Sequence, residues 1–113
     1  MTTLRNKVQL IGNLGGAPEV KTLDNGKQMV KFSLATNETY RNANGEQVTD
    51  TQWHNVIAWG STAKLAEKFL EKGKEVAIEG KLSSRSYDDK DGIKRYITEI
   101  VANEILLIGK KAN

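Results

Sequence analysis

The sequence predicts an all-β domain, a five-stranded, partly open barrel with one α-helix between its third and fourth strands. Three observations point there. Ten glycines and a single proline are scattered through 113 residues and divide the chain into short stretches bounded by turns. Several of those stretches alternate apolar and polar residues with the period of two that a half-buried strand requires. Only residues 61–72 change to helical spacing. A chain of this length suits one core, so residues 1–109 are expected to form one domain and residues 110–113 a short polar end.

Residues 7–14 (KVQLIGNL) are β-branched and apolar enough for a first strand, which Gly15-Gly16 end and Ala17-Pro18 bend. Residues 20–23 extend that strand past the bend. Asp24-Asn25-Gly26 is a tight turn, and in residues 29–37 Val30, Phe32 and Leu34 share a face that should be core. Asn42-Ala43-Asn44-Gly45 is a second turn, joining residues 38–41 to residues 47–59 as a long, protruding hairpin. Trp53, Asn55, Ile57 and Trp59 have the same parity on its second arm and therefore one face. In the helix Leu65, Ala66, Phe69 and Leu70 form the inner stripe, Ser61 or Thr62 caps the start and Gly73 suits the end. Residues 75–87 are a strand with Val76, Ile78 and Leu82 inward, and Asp88-Asp89-Lys90-Asp91-Gly92 turns into a last strand over 94–108. Its end, Ile105-Leu106-Leu107-Ile108, is apolar on both faces and is expected to be buried on both sides or packed on another subunit. This order of elements is that of an OB-fold, a Greek-key barrel whose helix plugs one end.

Composition removes several function classes. With no cysteine there is no disulfide, no thiolate zinc site and no cysteine nucleophile, and a single histidine removes clustered-histidine metal sites. No stretch approaches the ~20 apolar residues of a membrane span, and residues 1–13 lack the layout of a secretory leader, so a cytoplasmic location is expected. The net charge of +3 permits a polyanionic partner without requiring one. Gly12-Asn13-Leu14-Gly15-Gly16 lacks the spacing of a phosphate loop and reads as the end of a strand. Asp88, Asp89 and Asp91 sit in a Gly-ended turn where Asp is favoured for backbone reasons, and Tyr87 and Thr98 stand where an EF-hand needs carboxylates. No metal, cofactor or catalytic residue is expected, and His54 has no partner at a recognisable catalytic spacing.

The informative feature is aromatic residues beside bases at positions a barrel core does not need: Tyr40-Arg41, Trp53-His54, Trp59 and Arg85-Ser86-Tyr87. Exposed rings stack on the bases of a single strand whatever their identity, while Lys and Arg neutralise phosphates. Stacking is worth about 1–3 kcal/mol per base, so four platforms outweigh what a modest net charge supplies. Tyr40, Trp53, Trp59 and Tyr87 are the stacking candidates. Arg5, Lys7, Lys31, Arg41, Lys64, Lys72, Lys74, Arg85, Lys94 and Arg95 are the phosphate candidates, with Arg41 and Arg85 favoured because each adjoins a ring candidate.

The chain resembles the bacterial single-stranded DNA-binding protein family from Asn6 to about Leu107. The resemblance lies in Asn6-Lys7-Val8, Ile11-Gly12-Asn13-Leu14-Gly15, Pro18-Glu19-Val20, Asn25-Gly26, Leu34-Ala35-Thr36, Trp53-His54, Lys72-Gly73, Ile78-Glu79-Gly80-Lys81-Leu82 and Arg95-Tyr96, in order and spacing. It implies an OB-fold, single-stranded DNA as partner, and stacking roles for Tyr40, Trp53, Trp59 and Tyr87, of which Tyr40, Trp59 and Tyr87 differ in ring type from some members. It also implies a homo-oligomer, usually a tetramer, with the strand of residues 7–14 pairing across a two-fold and Lys7, Gln9 and His54 at subunit contacts. Members usually continue into a disordered tail with an acidic, apolar-tipped end. Here the sequence stops at Lys110-Lys111-Ala112-Asn113, so tail-mediated recruitment of replication or repair proteins is not expected.

The expected function is therefore non-enzymatic, sequence-tolerant binding that holds DNA unpaired during replication, recombination and repair, at the bacterial nucleoid. Three alternatives remain at this stage. They are an OB-fold accessory that mainly contacts proteins, a metal-dependent nuclease at Asp88, Asp89 and Asp91, and a structural barrel whose aromatics only pack.

Overall fold

The computed structural model describes residues 5–108. Six strands and one helix follow in the order β1 (Val8–Leu14), β2 (Glu19–Thr22), β3 (Gln28–Arg41), β4 (Gln47–Trp59), α1 (Gly60–Phe69), β5 (Glu75–Asp88) and β6 (Lys94–Leu107). The sheet order is β1-β5-β6-β4-β3-β2, and β1 also pairs with β3, so five strands close on themselves. This is the OB-fold architecture. Two details differ from the sequence reading. The four residues of β2 do not prolong β1 but form a separate antiparallel strand on β3, with Val20 opposite Val30 and Lys21 opposite Met29. Counting that strand places the helix between β4 and β5. The barrel is also closed rather than partly open, through the pairs Asn13–Ala35 and Leu14–Leu34 and a three-residue parallel pairing of β4 with β6 around Ile57 and Val101.

Closure depends on two glycines where strands cross. A methyl at Gly12 would run into the Ala35 carbonyl, and one at Gly80 into that of Val101. At Glu79 and Gly80 the β5–β6 register also shifts, a bulge that bends β5 around the barrel. The interior is an apolar cluster containing Val30, Phe32, Leu34, Val56, Val76, Ile78, Ile100 and Ile105. Alternation on β3 places its core residues as the sequence predicts. Leu82 does not go inward as expected: it is in register with buried Ile100 yet half exposed, because β5 has by then left the barrel for a protruding β5–β6 arm.

Helix α1 contributes Ala63, Ala66 and the following Leu70 to the core, and so plugs the barrel. It is shorter than the predicted 61–72 and begins without a side-chain cap, its N-cap position being Trp59. The Thr62 hydroxyl donates instead to the Asn103 carbonyl at 3.4 Å. Leu70 turns extended to bury its side chain, which ends the helix and leaves Phe69 outside beneath the Lys68 ammonium. Gly73, at φ +85°, forms the following turn and donates its N–H to the Leu14 carbonyl.

The hairpin of β3 and β4 is paired over its whole length, from Met29–Trp59 to Arg41–Gln47. Its tip is held by Asn42, whose side-chain oxygen accepts from the N–H groups of Asn44 and Glu46. At the C-terminal end Ile105 is buried while Leu106 is 64% exposed, so the apolar run is buried on one face only. Residues 110–113, expected as a polar end, lie outside the described residues.

Candidate nucleic-acid interface

Strand alternation and register determine which side chains share a face. Cross-strand pairs carry the outward face of the hairpin from Lys21–Met29–Trp59 through Lys31–Ile57 and Ser33–Asn55 to Ala35–Trp53. The face continues over β6 and β5, where Glu99 is in register with Ser83, Ile97 with Arg85, and Arg95 with Tyr87. Trp53, Trp59, Lys31, Arg85 and Tyr87 therefore lie on one outward surface. The two tryptophans are six positions apart, roughly 20 Å along an extended strand.

Each ring has a structural reason for its place. Trp53 is 63% exposed and lies over the backbone of Gly15, where a Cβ would strike its six-membered ring. Gly15 is held there by donating its N–H to the Ser33 carbonyl at 3.0 Å. Trp59 is 38% exposed and stands between two hollows. One, about 320 Å³, is lined by Lys21, Lys31, Trp59, Arg85 and Glu99 among others. The other lies against Lys27, Ser61 and Lys64 at the start of α1. Lys31 also lines a third hollow with Gly16, Glu19, Ser33 and Asn55, between the two tryptophans along the ladder.

Tyr87 is exposed near the end of β5. Tyr40 is exposed too, but its register partner is Val48, and its parity is that of Phe32 and Leu34. It therefore occupies the opposite face of the hairpin from Trp53, beyond the barrel.

The predicted cations divide into free and engaged. Lys31 forms no ion pair among the described residues, whereas Lys7 pairs with Glu79 at 3.4 Å. Arg95 donates to Asp89 at 2.9 Å, and Arg41 donates back to Gly45 of its own turn at 2.8 Å. Arg85 makes two contacts with Glu99, Nε to Oε1 at 3.0 Å and Nη2 to Oε2 at 3.4 Å. The Glu99 carboxylate holds the Arg85 guanidinium above its usual value, in its charged form. Lys64 is on the exposed side of α1 beside Trp59. Lys72 and Lys74 flank Gly73 before β5, a whole strand from Tyr87, and Lys94 faces Asp88 at the far arm. Arg5 is exposed ahead of β1.

Of the expected contact residues, Lys7 and Gln9 converge on Glu79, while His54 is in register with Leu34 and 3.0 Å from the Thr36 hydroxyl. The three are not brought together within one chain. On the outer face of β1, β5 and β6, Ile11, Ala77 and Leu106 line a hollow of about 560 Å³ rimmed by Gln9, Glu79 and Glu104. Asp89 serves its turn: its carboxylate accepts from the N–H groups of Asp91 and Ile93 and from Arg95, which together hold its pKa below the usual value. Among the described residues no group of three metal-ligating side chains converges, and no helix is long and apolar enough to cross a membrane.

Sequence reading missed Lys21 and Tyr96. Lys21 reaches the Trp59 groove because β2 pairs with β3 instead of prolonging β1. Tyr96, 75% exposed, is opposite Ser86 on the β5–β6 arm; it belongs to the Arg95-Tyr96 motif of the resemblance but not to the stacking candidates.

The family model for the Single-strand binding protein family matches residues 5–108. Similar proteins include Single-stranded DNA-binding protein 1 of Chlorobaculum tepidum, 44% identical over 107 residues that make up 94% of this chain and 66% of that protein. The Single-stranded DNA-binding protein of Neisseria meningitidis serogroup A is 46% identical over 92% of this chain and 60% of its own length. Among solved structures, the Plasmodium falciparum SSB in complex with ssDNA superposes with a TM-score of 0.85 at 31% identity, covering 96% of this chain and 99% of that one. The chain thus spans less than two thirds of the length of the two curated relatives named.

Proposed function

Since the chain belongs to the Single-strand binding protein family, we propose that it binds single-stranded DNA without sequence preference and without catalysing a reaction. The observation that carries this reading is the placing of exposed Trp53 and Trp59 on one face with a groove containing Lys21 and Lys31, which form no ion pair among the described residues. Rings accept bases from either side of the groove, and lysines displace counterions from phosphates. Trp53, Trp59 and Tyr87 line one path on a single barrel. Tyr40, on the other face of the hairpin, takes bases where the strand passes around that arm. Lys31 and Lys64 beside the rings, with Arg5, Lys72, Lys74 and Lys94 further out, track the phosphates, while Lys7, Arg41 and Arg95 do so only on leaving Glu79, Gly45 and Asp89.

Holding DNA unpaired in the bacterial cytoplasm during replication, recombination and repair is the role that goes with such binding. The protein acts as a homotetramer. Two features support assembly: β1 pairs on one side only over residues 8–12, and Ile11 and Leu106 are largely exposed on the adjoining outer face. A free strand edge beside an apolar surface favours pairing with another copy. Lys7 and Gln9 flank that edge, and His54 meets a neighbouring subunit elsewhere.

Tryptophan fluorescence titrated with an oligo-dT of ~35 nucleotides and with a matched duplex, at several salt concentrations, tests the reading. Quenching confined to the single strand, with a log–log salt slope of about −0.7 per phosphate neutralised, is expected. Absence of both quenching and binding at low salt overturns it.

A further inference from the structure

Resting on the single-strand reading, we infer that Arg85 contacts bases rather than phosphates, because buried Glu99 has already neutralised it and fixes the plane of its guanidinium. Sequence alone ranks Arg85 with the phosphate contacts, as an exposed cation next to a ring candidate. The structure gives it a different setting. Glu99 is 3% exposed, the one buried charged side chain among the described residues, yet it lies on the outward face and lines the groove with Lys21, Lys31 and Trp59. A carboxylate beneath a polyanion site opposes binding unless its charge is spent on something else. Here it engages the Nε and Nη2 edge of Arg85 side-on.

That fork uses two of the five guanidinium N–H donors and leaves three. The Arg85 side chain is 53% exposed, so the unused edge and face are open to a ligand. An arriving phosphate meets a pair whose net charge is near zero. Since the pair brings little net charge to a phosphate, it displaces few of the cations condensed there, and the main driving force for phosphate contacts is weak. Lys21 and Lys31 keep that driving force. What Arg85 retains is a flat, weakly hydrated group locked in one orientation, suited to stacking on a base face and donating to base carbonyl oxygens. Trp59 on one side and Tyr87, two residues along β5, place bases where that plane can reach them. Glu99 is thus a positioning residue.

The test compares salt dependence of oligo-dT binding in this chain and three variants. The double variant Arg85→Gln, Glu99→Gln keeps net charge and hydrogen-bonding capacity while removing the fixed plane. It is expected to bind about fivefold or more weakly at every salt concentration, with an unchanged log–log slope. Glu99→Gln alone releases the charge of Arg85 and is expected to steepen the slope by about 0.7. Arg85→Lys keeps the charge without the plane and should weaken binding as the double variant does, with the slope held. A slope reduced by about 0.7 in the double variant, or full affinity in Arg85→Lys, overturns the inference. If Glu99→Gln or the double variant fails to fold, as judged by circular dichroism and thermal melting, Arg85→Lys decides alone. Failure of the wild-type protein to bind single strands refutes the underlying function instead, so the two failures are distinguishable.

Discussion

Gly15→Ala should impair the interface without weakening the fold. The added methyl would run into the six-membered ring of Trp53, and a ring 63% exposed has room to swing aside instead of forcing the backbone apart. Gly15 is not among the positive-φ residues, so alanine fits its backbone and reduces unfolded-state entropy by about 0.4–1 kcal/mol. That gain offsets the lost ring contact, and the melting temperature should stay within a few degrees of wild type. Binding has no such compensation. A platform tilted off its seat loses up to the value of one stacked base, about 1–3 kcal/mol, or about 5- to 150-fold in Kd. The assay is oligo-dT titration in a Trp59→Phe background, where emission reports Trp53 alone. With Trp59 retained as the reporter, adding Gly15→Ala to Trp53→Ala should cost nothing further, because both remove the same platform. Unchanged affinity and quenching in the single variant, or additive losses in the double, would refute the reasoning.

Two further outcomes follow from local geometry. Asn6, at φ +46°, exchanges two side-chain hydrogen bonds with the Leu82 backbone, at 3.1 and 2.9 Å. Asn6→Ala should destabilise by about 1–2 kcal/mol in urea unfolding, and Asn6→Gly, which tolerates the positive φ, by less. Asp89 has its pKa lowered by backbone N–H donors and Arg95, so its contribution to stability is full above the unfolded-state value and disappears as pH falls through the lower folded one. The amide chemical shift of Ile93, which donates to Asp89, should therefore move with a midpoint below the ordinary aspartate value of about 3.9; a midpoint near pH 6 would contradict this.

The strands could be read from the sequence because covalent geometry alternates side chains locally. Val30, Phe32 and Leu34 are buried on one face of β3, and Trp53 shares a face with Trp59, as parity requires. The turn at Asn42 and Gly45 likewise set the register of the whole β3–β4 hairpin. Reading failed where an element's course depends on a distant neighbour. Leu82 has inward parity but no barrel left to enter, Phe69 lost its burial when Leu70 was drawn into the core, and residues 19–22 form a separate strand on β3 instead of prolonging β1.

The same division separates the halves of the candidate interface. Sequence by itself determined an all-β barrel with one helix and exposed aromatics beside cations, since residue type, turn chemistry and period are properties of short segments. Tertiary structure alone decided that Lys21 lies beside Trp59, that Tyr40 faces away from Trp53, and that Glu99 lies beneath Arg85. Those relations join residues 13 to 38 positions apart through strand pairing, and which strands pair is not a property of any one short segment.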